Sequence, residues 1–180
     1  MYLSIFTGLN KMYISVFSST EIIFSAEKET RQETIVLAEI LKDIDRKQLK
    51  GILINQGPGR FISLRVGTAY AISLGFSLKI PVHAVSLFAY FQKSMNHLDM
   101  VEKCDLVYQT GMSTLITPSG ELSFETLPAC VYGAIRSEDK IPEKTYFIPW
   151  KNNLIASDFC DLWKESSADI FPLLYGKAAY

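Results

Sequence analysis

The residues of this sequence best suited to holding a ligand are Gln56-Gly57-Pro58-Gly59-Arg60-Phe61, a glycine-rich turn between an apolar run and a long helical segment. Such a strand-to-helix turn can cradle a phosphate, because free amides and the positive end of the helix dipole face the anion together. The spacing is neither G-x-G-x-x-G nor G-x-x-x-x-G-K-[ST], and no aspartate stands ready for magnesium. Glycines beside a proline also serve a tight turn that needs positive φ, and this structural reading is the stronger one. His83 and His97 are the only histidines, with no H-E-x-x-H, so a zinc protease is not indicated. His83 falls within an apolar strand and reads as a core histidine with its polar atoms satisfied. There is no G-x-S-x-G elbow. Cys104, Cys130 and Cys160 form no C-x-x-C pair, so neither a disulfide framework nor a metal site is expected. Glu27, Glu29 and Glu33 read as a solvated approach to a helix, Glu138-Asp139 as a polar loop, and Trp150 and Trp163 as core or lobe-junction anchors. No catalytic residue, cofactor or metal is expected.

The elements that must position the turn follow from periodicity. Tyr2 to Phe6 and Met12 to Phe17 are β-branched and aromatic, separated by the turn-like Thr7-Gly8-Leu9-Asn10-Lys11, and Glu21 to Glu27 continues them as a third strand. From Arg31 to Asp45 the period is helical, with Thr30 and Glu33 spaced as a capping box. Gly51 to Asn55 is a short strand, Phe61 to Leu78 a helix, Pro81 to Val85 a strand and Leu87 to Met95 a helix. This βββαβαβα order gives a mixed sheet with helices packed on it. Beyond His97 the expected strands are Cys104 to Gln109, Ser113 to Thr117, Leu122 to Leu127, Ala129 to Ile135 and Thr145 to Ile148, with a helix from Leu154 to Lys164. No internal repeat is visible. The expected division is a first lobe over 1–97 and a shortened second lobe over 98–180.

Composition narrows the class. Of 180 residues, 48% are hydrophobic and 21% charged, with 18 basic against 19 acidic. That excludes a disordered chain and leaves no net basic surface for coating nucleic acid. The N-terminus carries no basic and apolar leader, which with the cysteine pattern suggests the cytoplasm. The apolar region Phe61 to Phe91 is interrupted by Arg65, Lys79, Pro81 and His83, as a buried helix–strand–helix would be and a membrane span would not.

Both leading helices carry surplus apolar surface. On a helical wheel Val36, Leu37, Ala38, Ile40, Leu41 and Ile44 cover an arc of roughly 200°, where a sheet-packed helix needs little over ~100°. Val36 and Ile40, on one shoulder, are therefore candidates for contact with something beyond their own sheet. Between Phe61 and Lys79 only Arg65 and Lys79 are charged, so the helix has no polar face and should be buried all round. Gly67, Ala71 and Gly75 form a bare ridge at every fourth residue, a surface on which a partner helix could pack closely.

The segment Gly57-Pro58-Gly59-Arg60-Phe61-Ile62-Ser63-Leu64-Arg65-Val66-Gly67 resembles GPGSFTGxRxG, a hallmark of the TsaB (YeaZ) family. The similarity continues without a gap through Ala71, Leu74, Ile80-Pro81-Val82 and Val85-Ser86. Pro172-Leu173-Leu174-Tyr175 looks like the family's closing segment. The resemblance implies an α/β chain with a reduced actin/sugar-kinase/Hsp70-like, ribonuclease H-like fold. It also implies a non-catalytic subunit that binds the threonylcarbamoyltransferase TsaD, in an assembly with the ATPase TsaE. That assembly modifies adenosine next to the anticodon of tRNA, so tRNA would be met only indirectly. The family's partner interface is built from its first two helices, and a homodimer through the same surface is a further expectation. Several positions depart from the family. Phe6-Thr7 stands for its Asp-Thr, Arg60, Ile62 and Ser63 for the Ser, Thr and Gly of the motif, and Gln32 for a frequent histidine. Ile72 and Ser73 replace polar and glycine positions in mid-helix. The rival readings are a small ATP-dependent kinase or ATPase of the same fold, against which Phe6 speaks, and a peptidase, which lacks a metal-ligand pair.

Overall fold

The structure is a computed structural model of the chain, and it describes residues 1–9, 11–29, 33–42, 44–98, 104–110, 112–170 and 173. The expected cap at Thr30, the Gln32 position and the closing segment apart from Leu173 lie outside those residues. Strands β1 (Tyr2–Phe6), β2 (Lys11–Phe17) and β3 (Ile22–Glu29) form an antiparallel meander. Helix α1 (Glu33–Leu41), strand β4 (Ile52–Asn55), helix α2 (Phe61–Leu78), strand β5 (Val82–Val85) and helix α3 (Leu87–Met95) follow. The sheet order is β3-β2-β1-β4-β5, with β4 parallel to both β1 and β5. This is the expected βββαβαβα lobe.

Helix α1 stops short of the expected Asp45 because its end is competed for locally. Asp45 accepts from the Lys47 amide at 3.2 Å and Gln48 Nε2 at 2.8 Å, capping a 3₁₀ turn at Arg46–Gln48. A short acidic side chain that bonds nearby amides favours such a turn over continuing the helix. Arg46 Nε then donates to the Leu41 carbonyl at 3.3 Å, satisfying one acceptor left free where α1 ends.

The second sheet repeats the plan of the first. Strands β6 (Asp105–Gln109), β7 (Thr114–Thr117) and β8 (Gly120–Ser123) form a meander, and β9 (Cys130–Ala134) and β10 (Tyr146–Pro149) lie parallel on the other side of β6, in the order β10-β9-β6-β7-β8. Where α1 and α2 stand in the first lobe, the second has only 3₁₀ turns at Phe124–Thr126 and Glu138–Lys140. The Leu122 to Leu127 strand of the sequence reading is therefore cut at Ser123. The chain closes with α4 (Ala156–Glu165). The repetition lies in topology and not in residues, so no sequence repeat betrays it.

Cys104 and Cys130 are joined by a disulfide bond, with Cα atoms 4.6 Å apart, contrary to the sequence expectation. They precede and begin neighbouring parallel strands whose register sets Asp105 opposite Val131. Strand neighbourhood made the pair, and linear spacing gave no sign of it. The cysteine argument for a reducing compartment falls with it. Cys160 is a free thiol.

The lobes exchange helices across an aromatic junction. Helix α3 packs on β6 and β9 of the second sheet, while α4 packs on β5 of the first. Between them Phe6 stacks on Tyr90 at 4.0 Å, Tyr13 meets Trp150 edge-on at 4.7 Å, and Phe17 stacks on Phe159 at 5.0 Å. Trp163 stacks on His83 at 4.3 Å and contacts Tyr2. Both tryptophans are lobe-junction anchors, and His83 has its polar partner in Ser166 Oγ at 3.0 Å, as the sequence suggested. Tyr108 crosses from the second sheet to donate to the Gly8 carbonyl at 2.9 Å, and Tyr90 donates to Asn152 Oδ1 at 2.8 Å.

Burial raises the phenols of Tyr90 and Tyr13, with Glu27 and Glu29 adding to Tyr13, and pushes Tyr108 up to about 12 while Arg136 and Arg60 pull it back. An unfolded tyrosine ionises near pH 10, before these folded ones do. Their contribution to stability is complete below pH 10 and is lost as pH rises through the folded values, at about 1.4 kcal/mol per pH unit for each tyrosine. Urea unfolding between pH 8 and 11 should show this decline beginning near ~10, with a shallower slope in Tyr108→Phe; equal slopes would contradict the assignment.

Candidate functional site

The glycine-rich turn is consumed by its own fold. Asn55, at the end of β4, grips Thr7, the residue after β1: the Thr7 amide donates to Asn55 Oδ1 at 2.9 Å, and Asn55 Nδ2 donates to the Thr7 carbonyl at 2.7 Å, both buried. The Arg60 amide donates to the Gly8 carbonyl at 2.8 Å, the Gln56 amide to Val85, and the Leu87 amide to the Gly57 carbonyl. Gly57 has φ of 109° and precedes a cis Pro58. A Cβ on Gly59 would stand 3.0 Å from Leu64 and 3.2 Å from the Gly8 Cα. Gly57, Pro58 and Gly59 are buried, Phe61 is half-buried, and Arg60 points to solvent. The amide of Arg60, which a phosphate loop would leave open, is committed to Gly8. The turn is a clip that fixes where α2 begins.

Helix α2 lies with one face on the sheet and α1, and the other in solvent. Ser63, Leu64, Gly67, Thr68, Ala71 and Gly75 are its buried residues. This corrects two expectations: the helix is not buried all round, and the Gly67–Ala71–Gly75 ridge packs inward and is not a partner surface. A Cβ on Gly67 would run into the Thr7 side chain, 2.9 Å from its Cγ2, and one on Gly75 would meet Val82 and stand 3.1 Å from the Ile80 carbonyl oxygen. The small residues admit the molecule's own β1 and β5. Glu33 is likewise not solvated but buried, where it accepts from Ser63 Oγ at 2.6 Å and ties α1 to α2. By length and composition α2 could cross a membrane, but its inward face is that of a core helix.

The opposite side of α2 is apolar and uncovered. Ile62 is 70% exposed, Ile72 37% and Phe76 88%, and Ile35 on the adjacent α1 is 55% exposed. With Arg65, Ala69, Ser73 and Ser77, the exposed positions of α2 are 62, 65, 69, 72, 73, 76 and 77, and 62, 65, 69, 72 and 76 among them fall on one line. That alternation of threes and fours is the spacing of a seam that pairs with another helix. Val36 and Ile40 are half-buried against the first core, and Ile40 lines a pocket with Val16, Ile23 and Phe24 of β2 and β3. Ile62, Ile72 and Phe76 were missed in the sequence because the small-residue ridge dominated the helix. Their heptad spacing was legible there.

Elsewhere Thr68 Oγ1 on α2, Thr145 Oγ1 and Trp150 Nε1 are buried without a hydrogen-bond partner. In the cleft between the lobes, of ≈ 470 Å³, Lys11 is paired with Glu27 and lies 3.9 Å from Glu29. Phe6 fills the position where the resembled family carries aspartate, stacked on Tyr90 and almost fully buried. His97 Nε2 and Asp158 Oδ2 are 2.6 Å apart. Among the described residues no His, Cys, Asp or Glu side chains cluster in threes as a metal would require.

The family model for TsaD, tRNA N6-adenosine threonylcarbamoyltransferase, matches residues 25–101. Over 93 residues the chain is 31% identical to the tRNA threonylcarbamoyladenosine biosynthesis protein TsaB of Buchnera aphidicola subsp. Acyrthosiphon pisum, a match covering 48% of this chain and 42% of that protein. It is 29% identical over 90 residues to the TsaB of Buchnera aphidicola subsp. Schizaphis graminum, covering 47% and 43%. The chain thus spans less than half the length of these curated relatives. In structure it is similar to YeaZ from Pseudomonas aeruginosa, with a TM-score of 0.68 and 16% identity over 93% of this chain and 95% of that one. A second Pseudomonas aeruginosa structure, of a protein with similarity to peptidase YEAZ, gives 0.67 and 16% over 96% of both chains. At that identity the likeness carries the fold, and it bears out the expected ribonuclease H-like class. The curated homologues bear out the resemblance to TsaB.

The inward role of Gly67 is measurable. Gly67→Val should destabilise the protein by about 1–3 kcal/mol through overpacking against Thr7, while Phe76→Ser, in open solvent, should change stability by less than about 0.5 kcal/mol. Urea unfolding of the two variants checks the contrast, and a harmless Gly67→Val would restore the ridge to the outer surface.

Proposed function

We propose, from its homology to TsaB proteins, that this chain is a non-catalytic accessory subunit of tRNA threonylcarbamoyladenosine formation that binds and activates a TsaD-type threonylcarbamoyltransferase. The observation that carries the reading is the uncovered apolar seam of α2 beside Ile35 of α1. An exposed apolar patch rimmed by polar residues calls for a protein partner, and the 3–4 spacing calls for a helix. Val36 and Ile40 flank the contact, and Gly57, Pro58 and Gly59 hold α2 at the angle that presents it. Gly67, Ala71 and Gly75 act from within, by seating the helix.

The mechanism is a shift of population. Docking on α1 and α2 favours the TsaD conformation with an assembled site, by as much as the difference in affinity for its two states. No bond-making residue is supplied from this chain. The buried Phe6, the committed turn amide and the internally paired Lys11 support that silence over a kinase or ATPase reading. A TsaE-type ATPase completes the assembly, tRNA is met through the partner, and the compartment is the cytoplasm. When the partner is absent, two copies can cover the same face.

The test is co-purification with the TsaD-type subunit of the same organism, followed by a tRNA modification assay with and without this chain. Modification should depend on its presence. Phe76→Asp and Ile62→Asp should each weaken binding by ~100-fold, the scale of losing an interface anchor, while circular dichroism and the melting temperature stay unchanged. Wild-type-like binding by both variants would remove the seam from the interface.

A further inference from the structure

We infer that the cleft between the lobes is a binding site for a small organic cation, an alkylamine or guanidinium compound held by carboxylates against the Tyr13 hydroxyl. The inference goes beyond the docking reading and does not depend on it, since among the described residues none of α1 or α2 lines this cleft. Its volume, ≈ 470 Å³, is that of a small-molecule pocket. Strand register builds the first-lobe wall: Lys11 stands opposite Glu29 and Tyr13 opposite Glu27, so the four side chains share the face of β2 and β3 turned to the second lobe. Phe147 and Pro149 of β10 and the following Trp150 stand across from them. The aromatic stack of Phe6 and Tyr90 is left in place, and no lobe movement is needed to reach the site.

Tyr13 is the residue that calls for a ligand. It is only 8% exposed and meets Trp150 edge-on, yet its hydroxyl has no hydrogen-bond partner among the described residues. The other three buried tyrosines are bonded, Tyr90 to Asn152, Tyr108 to the Gly8 carbonyl and Tyr132 to Ser94. A buried hydroxyl left unpaired is costly and rare, and Tyr13 lines the cleft where a ligand could answer it. Charge sets the sign of that ligand. Burial raises the Tyr13 phenol, and Glu27 and then Glu29 raise it further, with no cation pulling it back as Arg136 and Arg60 do at Tyr108. Lys11 is spent on Glu27, which leaves Glu29 and Glu138 against the exposed Lys151. A phenol oxygen accepts from an ammonium or guanidinium N–H, carboxylates pair with its charge, and an aromatic wall favours a cation. A phosphate would instead meet Glu27 and Glu29.

Isothermal titration calorimetry of the full chain with agmatine, with putrescine and, as the opposite charge, with ADP tests the inference. At least one of the two cations should bind with a Kd below ~1 mM, and raising salt from about 50 to about 300 mM should weaken it at least ~3-fold. Tyr13→Phe, which keeps the ring against Trp150, should weaken binding by ~5–10-fold through the lost hydrogen bond. Glu29→Gln and Glu138→Gln, on exposed side chains, should each weaken it by ~3–10-fold, and Lys11→Gln, which frees Glu27, should tighten it at least ~3-fold. Melting temperatures within a few degrees of wild type check that each variant is folded, and the two glutamine variants at Glu29 and Glu138 decide the matter if Tyr13→Phe is not. No heat from either cation up to ~10 mM, affinities unchanged in the folded variants, or tighter binding of ADP than of both cations overturns the inference. None of these outcomes bears on the docking reading, which stands or falls on TsaD binding.

Discussion

A sheet can cover only the half of a helix that faces it, and α2 is apolar on both halves. That constraint organises the first lobe. The inner half is fixed by close approach: Gly67 lets α2 reach the Thr7 side chain just after β1, and Gly75 lets it reach Val82 of β5 and the Ile80 carbonyl before it. Two glycines cost a helix about 1 kcal/mol each against alanine, and contact at this range is what they permit. Once that face is seated, no element among the described residues covers Ile62, Ile72 and Phe76. The Asn55–Thr7 clasp and the Arg60–Gly8 bond fix the start of the helix, so the uncovered half is held at one angle and presented as a rigid surface.

The lobe junction extends the same rigidity. In a two-lobed α/β fold the space between sheets is where a ligand could enter and the lobes could close on it. Here Phe6 stacks on Tyr90, Tyr13 meets Trp150 edge-on, Tyr108 is bonded to the Gly8 carbonyl, and α3 and α4 each pack on the other lobe's sheet. Closing or opening would separate aromatic pairs worth roughly 0.5–1.5 kcal/mol each beyond their burial. A scaffold needs a fixed face more than a hinge, and the junction suits that demand. Replacing α1- and α2-like helices of the second lobe by single 3₁₀ turns removes mass from the side that carries no seam.

Much of this was legible in the sequence, and what was not has identifiable causes. Phe61–Leu78 and Leu87–Met95 end where periodicity put them, because Pro81 and the cap at Ser86 are local signals. The direction of the Gly67–Ala71–Gly75 ridge was not legible. Small residues at every fourth position announce a close neighbour without saying whether it is foreign or the chain's own strand, and here it is Thr7 and Val82. The outward seam was equally periodic but was read as part of a helix covered on all sides. Glu33 looked solvated because its partner Ser63 lies thirty positions away. Cys104 and Cys130 meet only because β9 returns beside β6, a matter of sheet order. The early end of α1 reflects Asp45 bonding two local donors, a competition that helical periodicity does not weigh.

The departures from the resembled motif form a consistent set once their positions are known. Ile62, where the motif has threonine, is the first residue of the exposed seam and adds apolar surface there. Ser63, where it has glycine, is buried and gives its hydroxyl to Glu33, so the added polar group is satisfied inside and locks α1 to α2. Arg60, where it has serine, keeps its amide on Gly8 and sends its side chain to solvent. Phe6, where the family has aspartate, closes the aromatic stack with Tyr90. Ile62 and Phe6 put apolar side chains where the family has polar ones, and the hydroxyl that Ser63 adds is turned to Glu33. Substitutions that merely decayed an unused site would leave unsatisfied polar atoms or cavities behind. Here Ser63 is bonded and Phe6 packed inside, while Ile62 and Arg60 face solvent, so none of the four leaves a buried polar atom unpaired.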